Sequence, residues 1–203
     1  MVHLIILVTV ILSLLAFSSK EVLGRMIFNP YVMHEKREWW RFVTSGFIHA
    51  DFVHLFVNML VLYSFGDITL RYYTSVFDDM GDYYFLLLYF GGMIIASVSS
   101  YKKNYENPEY NALGASGAVS AVVFAFILFE PLRNLYIFGV LPIPGILFGA
   151  LYLVYSYYEA KRAAGYVNHE AHFYGAVFGF AFTLFLKPDL FSTFINSITY
   201  FLE

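Results

Sequence analysis

The chain contains no cysteine. That excludes disulfide frameworks, thiol nucleophiles and cysteine-ligated zinc. Charge is scarce: Asp, Glu, Lys and Arg make up 13% of the 203 residues, where soluble domains carry about 25%. Nor is there an excess of positive charge. Twelve Lys and Arg stand against fifteen Asp and Glu, for a net charge of −3, so the composition offers no basic surface for nucleic acid. Internal repeats and low-complexity tracts are missing as well. Disorder is excluded by the 23 Phe and 18 Tyr, far too many for a chain that cannot bury apolar surface. What is present is hydrophobicity, at 60% of residues with a mean hydropathy of +0.64. The length fits one domain, and the composition is that of a membrane protein.

A helix crossing the hydrocarbon core needs roughly 20 mostly apolar residues. Six apolar segments are found, over 1–19, 42–66, 83–101, 110–129, 134–158 and 171–186. In lipid each must satisfy its own backbone, so helices are expected throughout. The runs are continuous rather than alternating, which argues against a β-barrel. The first segment opens without Lys or Arg, so it reads as a first helix rather than a cleaved signal. Residues 20–41 form a long polar and aromatic loop suited to the membrane interface. Residues 190–202 are too short to span, and Phe191, Phe194, Ile195 and Ile198 at helical spacing predict an interfacial helix. The expected organisation is a membrane domain over 1–189 and an amphipathic tail over 190–203, with no separate soluble domain. Loops after the odd segments hold nine of the twelve Lys and Arg. The positive-inside rule would place those loops in the cytoplasm.

Polar groups at membrane depth are costly and usually face a cavity or a partner. His54 and Asn58 are four apart on the second segment and share a helical face. Ser116 sits in Gly114-Ala115-Ser116-Gly117-Ala118, almost without side-chain bulk. His172, Gly175 and Gly179 share a face of the sixth segment. Small residues at such spacing let membrane helices approach closely, which would bring a hydroxyl to an imidazole. The chemistry implied is acyl transfer, with Ser116 as nucleophile and His172 as its base. His54, Asn58 and the Ser116 N–H are the available oxyanion donors. No carboxylate is placed to orient His172, so the arrangement would be a dyad. Each piece also has a structural reading: the small-residue run as helix packing, His172 as a buried histidine, His54 with Asn58 as an interhelical bond. Residue types and spacing alone leave both readings open.

Other chemistries fit worse. A zinc site of the H-E-x-x-H kind is missed by one residue at His169-Glu170-Ala171-His172. Asp51 is the one aspartate inside an apolar segment, so an aspartyl pair is lacking. A transporter would usually show internal repeats. His169 competes with His172 as the base, but the small-residue phase follows His172. His3 and His34 read as interfacial or solvated, and His49 as a structural hydrogen-bonder anchoring the first loop.

At these residues the chain resembles the rhomboid intramembrane serine proteases, from the first loop to the sixth segment. Trp40-Arg41 looks like the family's Trp-Arg motif. His49 to Leu60, HADFVHLFVNML, is similar to its His and Asn spacing. GASGA resembles its GxSG motif, and Ala171 to Gly179, AHFYGAVFG, its AHxxGxxxG. The resemblance implies an all-α integral membrane fold, a six-transmembrane-helix bundle with an interfacial first-loop hairpin and a short C-terminal interfacial helix. It implies Ser116 and His172 as the catalytic dyad and His54 and Asn58 as the oxyanion hole. Gly114, Gly117, Gly175, Gly179, Trp40 and Arg41 would be supporting motif positions. Residues 161–170 would be a lid. Substrates would be single-span membrane proteins in the lipid bilayer, with no cofactor, metal or nucleic acid. Compact size points to a bacterial inner membrane, and the resemblance implies a site on the extracytoplasmic face, against the charge count. The alternative is an inactive relative that binds or escorts transmembrane helices. Asp67 stands beside Gly66 with no Glu beyond it. Some relatives place a Tyr four residues after the nucleophile, stacked on the histidine. Here that place is Ser120, and Phe124 and Tyr174 are the candidates to hold His172 instead.

Overall fold

A computed structural model describes residues 1–137, 139–162 and 168–202. The first helix, α1 (Val2–Ser18), is apolar all round, and its buried stripe is Val2, Ile5, Thr9, Ser13 and Ala16. Leu4, Leu7, Ile11, Leu14 and Leu15 point outward. Large apolar side chains on the outside, with Thr9, Ser13 and Ala16 among the buried residues, is the pattern of a helix whose solvent is lipid.

The first loop folds into short helices: α2 (Lys20–Met26), α3 (Pro30–Lys36) and α4 (Arg41–Thr44). Ser19 and Asn29 cap α2 and α3 by accepting from the N–H groups of Val22 and Val32. A 3₁₀ turn, Ser45–Phe47, follows. The next helix, α5 (Phe52–Phe77), therefore starts later than its apolar run and ends well beyond it. Asp51 caps it, accepting from the His54 N–H at 2.8 Å. After the break at Asp78–Met80 comes α6 (Gly81–Asn104). Gly81 is required there, because a Cβ would collide with the Thr74 backbone.

The central helix is α7 (Ser116–Phe129), buried at every position from Gly117 to Leu128. A β-hairpin follows, β1 (Asn134–Ile137) antiparallel to β2 (Leu141–Pro144), in the register Asn134 to Pro144. This corrects the expectation of helices throughout: the fifth apolar run opens with a hairpin over 134–144 and is helical only from Gly145. The helical remainder is α8 (Gly145–Arg162), which buries only Gly145, Gly149 and Ser156. Then come α9 (His169–Leu186) and α10 (Leu190–Leu202), which meet at a 112° bend.

The six apolar segments thus map onto α1, α5, α6, α7, α8 and α9. By length and composition, the helical stretch Phe52–Asn104 meets the requirement for crossing a membrane, and α9 with α10 meets it only as a bent pair. The apolar helices α1 and α7 are shorter. The core lies around α7, which packs against α5, α6 and α9.

Candidate active site

Ser116 is the first residue of α7 and half-buried. The backbone leading to it is fixed from three directions. Ala112 and Phe28 exchange hydrogen bonds at 2.9 and 3.0 Å, tying the segment to the first loop. Gly114 N–H donates to Ser45 O at 2.9 Å. Ala115 N–H donates to His49 Nε2 at 3.3 Å, and His49 Nδ1 lies 3.0 Å from Ser13 Oγ on α1. Since Nε2 accepts, the ring hydrogen of a neutral imidazole sits on Nδ1 and is donated to Ser13. Ser13 Oγ in turn donates to Phe47 O at 3.2 Å. His49 is a structural link, as expected, but what it joins is α1 and the start of α7.

Gly114 adopts φ +114°, a conformation that favours glycine. A Cβ there would lie 2.6 Å from His54 Cε1 and 2.9 Å from its Nε2. The His54 imidazole therefore rests on the backbone two residues before Ser116. Asn58 is buried one turn along α5, and its Nδ2 donates to His54 O at 2.9 Å. That bond uses one of the two amide hydrogens and leaves the other.

On the opposite side α9 presses on α7 through glycines. A Cβ on Gly175 would overlap the Gly117 carbonyl, and one on Gly179 the Ala121 carbonyl. Gly117 itself faces Ala96 of α6 at a distance that admits no side chain. The close approach predicted from the small residues is present. A small pocket reaches Ser116 between Gly114, Gly117, Ser97, Asn168 and Ala171.

His172 lies one residue past Ala171 and half-buried. Its ring stacks on Tyr152 of α8, with centroids 6.1 Å apart and planes 19° apart. His169 approaches it edge-on at 5.7 Å. The holder of His172 is thus Tyr152, not Phe124 or Tyr174. Phe124 packs against Tyr152 at 5.7 Å, and Tyr174 packs on Phe173. Ser120 and Tyr152 meet at 2.6 Å between hydroxyls. Ser116 and His172 share no hydrogen bond.

The start of α9 is pinned to α6. Asn168 caps it through the Ala171 N–H at 3.1 Å, and donates to Ser100 Oγ and Tyr110 OH. Glu170 accepts from Ser99 Oγ at 2.6 Å and Lys103 Nζ at 2.7 Å. Residues 163–167 of the expected lid lie outside the described residues.

Arg41 is buried and closes the first loop, donating to Gly24 O at 2.7 Å, Ile27 O at 2.8 Å and the Glu38 carboxylate at 2.7 Å. Trp40 beside it is exposed. Asp67 has a tether of its own: His3 Nε2 lies 3.3 Å from its carboxylate. Sequence reasoning missed Tyr152, Asn168 and the Ser99–Glu170–Lys103 cluster. Asn168 carried a readable signal, a cap residue just before an apolar run.

Comparison with known proteins bears on the same region. The family model described as "Rhomboid domain" matches residues 36–189. RHOMBOID-like protein 12, mitochondrial, of Arabidopsis thaliana is 29% identical over 149 residues, covering 66% of this chain and 42% of its own length. Putative rhomboid protease YdcA of Bacillus subtilis is 32% identical over 97 residues, covering 48% of this chain and 44% of its own. Presenilin-associated rhomboid-like protein A, mitochondrial, of Danio rerio is 32% identical over 143 residues, covering 68% and 35%. The chain spans less than half the length of these three relatives. The family match covers most of the chain and encloses His54, Asn58, Ser116 and His172: the protein belongs to the rhomboid family of integral membrane proteins.

Proposed function

We propose that the chain is an intramembrane serine endopeptidase that hydrolyses peptide bonds in or near the transmembrane segments of single-span membrane proteins. The observation that carries this reading is the glycine-mediated contact of α9 with α7 beside Ser116 and His172. A wedge of side chain there would part the two helices that bear hydroxyl and imidazole. In the reaction, Ser116 Oγ attacks the scissile carbonyl and its proton passes to His172. The oxyanion is met by His54, the free hydrogen of Asn58 Nδ2 and the N–H of Ser116. Unpaired N–H groups at a helix start also favour negative charge. His172 then gives the proton to the leaving amine. Water, activated by the same imidazole, hydrolyses the acyl-enzyme and frees the serine.

The fold is read as six membrane-crossing segments, with α2 to α4 in the interface and α10 along it. The site sits at the end that carries the first loop. We place it on the extracytoplasmic face of a bacterial cell membrane, in keeping with the Bacillus subtilis relatives. The relatives named as mitochondrial point to a mitochondrial membrane as the other compartment.

A second reading has one observation behind it. Ser116 and His172 are not hydrogen-bonded, which suits an inactive member that binds or escorts transmembrane helices. A serine-reactive fluorophosphonate separates the two. With purified protein, wild type is expected to label at Ser116, and folded Ser116→Ala and His172→Ala are expected not to label. A folded wild type that takes no label would move the assignment to the binding reading.

A further inference from the structure

Tyr152 is the one side chain by which α8 hydrogen-bonds to another helix among the described residues, through the 2.6 Å contact with Ser120 on α7. The same ring lies parallel to His172 on α9. Phe148 stacks on it at 5.7 Å and 27°, and Phe124 packs against it at 5.7 Å. Elsewhere α8 is lightly held. Leu147, Leu151, Val154 and Tyr158 are half-exposed or more. An apolar cleft of about 310 Å³ lies between α8 and its neighbours, bordered by Phe124, Gly149, Leu153, Val177 and Phe194.

The geometry points to Tyr152 as a positioning residue that makes the orientation of His172 depend on the seat of α8, a role that rests on the reading of Ser116 and His172 as a dyad. An imidazole on a helix turns about two side-chain bonds. His172 has no hydrogen-bonded carboxylate to fix it and no bond to Ser116. Among the described residues, its flat face meets the wall of the tyrosine ring, with His169 edge-on beside it. That ring is held in plane by Phe148 and at its tip by Ser120. If α8 moves outward, ring and hydroxyl leave together and the imidazole loses its wall. Ser120 and Tyr152 therefore act as one unit: the small residue on α7 makes room for an aromatic supplied by α8, so the holder of the base is carried by a helix that buries only Gly145, Gly149 and Ser156.

The test uses the full chain in detergent, comparing wild type with Tyr152→Phe, Tyr152→Met, Tyr152→Leu and Ser120→Ala. Rates of fluorophosphonate labelling and of cleavage of a transmembrane substrate are measured, with thermal unfolding of each variant. An aromatic pair of this kind is worth up to about tenfold in a rate constant. Tyr152→Met is expected to lower kcat by about tenfold with KM unchanged. Tyr152→Phe keeps the ring and is expected to stay within about threefold of wild type. The carbon-13 signal of the His172 ring, assigned against His172→Ala, is expected to shift and broaden in Tyr152→Met and to keep its width in Tyr152→Phe. Tyr152→Leu serves if Tyr152→Met does not fold. The proposal is overturned if a folded non-aromatic variant keeps wild-type kcat, or if Tyr152→Phe is as impaired as Tyr152→Met, which would make the tyrosine a hydrogen-bonded strut. A wild type that does not label overturns the dyad itself, and that is seen before any variant is compared.

Discussion

At the scale of single residues, the approach to Ser116 shows how few side chains hold a backbone corner at membrane depth. His49 satisfies the Ala115 N–H and passes its own hydrogen to Ser13. His49→Ala would leave a buried N–H unpaired, at a cost of about 1–3 kcal/mol. The expected result is a lower unfolding midpoint in detergent. Ser13→Ala, which removes only a hydroxyl from the same chain, should lower it less; equal midpoints for wild type and His49→Ala would show the bond to be dispensable. Which residues were readable beforehand follows from how they are related. His54 and Asn58 share a face by helical spacing, and His172 shares one with Gly175 and Gly179, so a periodic count finds them. Tyr152 reaches His172 from a different helix. No spacing in the sequence connects residue 152 to residue 172, and Phe124 and Tyr174 competed for the same role.

At the scale of elements, the glycines of α9 set the distance between the two helices that bear Ser116 and His172. Gly175→Ala and Gly179→Ala each add one methyl group, yet each would press on an α7 carbonyl. Overpacking of this kind typically costs about 1–3 kcal/mol. Both variants are expected to lose serine labelling and stability together. Gly24→Ala, in α2 with open space around its Cα, should be neutral or stabilise by about 0.5–1 kcal/mol. If Gly175→Ala labels at the wild-type rate, the close approach is not needed for chemistry. Element boundaries were less legible than element existence. Charges at Asp67 and Arg71 end the second apolar run at Gly66, but the helix goes on to Phe77 with Thr69 and Tyr73 buried. Hydropathy sees the charge; the packing of that last stretch against the core does not register in it. The hairpin over Asn134–Pro144 was hidden for the opposite reason. Leu135, Tyr136, Ile137, Leu141 and Ile143 are apolar enough to pass as the start of a span, while Pro142, Pro144 and Gly139 with φ +73° are turn and strand signals inside it.

At the scale of the whole molecule, the charge count and the family orientation disagree, and the structure shows where the count is weakest. Of the nine cations on the first-loop side, Arg25, Arg41, Lys103 and Arg162 have carboxylate partners within 4.0 Å. Arg41 is buried in a folded element rather than lying in a free loop. A chain without cysteine makes the orientation directly measurable. Lys36 and Arg71 are both exposed, and the proposed six-span reading puts Lys36→Cys and Arg71→Cys on opposite sides. In intact bacterial cells, Lys36→Cys is expected to react with an impermeant maleimide, and Arg71→Cys only after permeabilisation. The reverse pattern would put the site on the cytoplasmic face and reinstate the charge rule.

The shortness of α7 bears on how such a molecule is assembled. Its 14 residues extend about 21 Å, against a hydrocarbon core of about 30 Å. The backbone that leads into it finds its partners at Phe28, Ser45 and His49, all synthesised earlier. By itself this segment is too short and too poorly satisfied to settle in a bilayer as an independent span. The contacts that fix the entry to the serine-bearing helix are therefore complete only when the first loop is folded beside it. On the proposed reading, the nucleophile is put in place by tertiary assembly rather than by insertion alone, and a partly inserted chain carries no finished site.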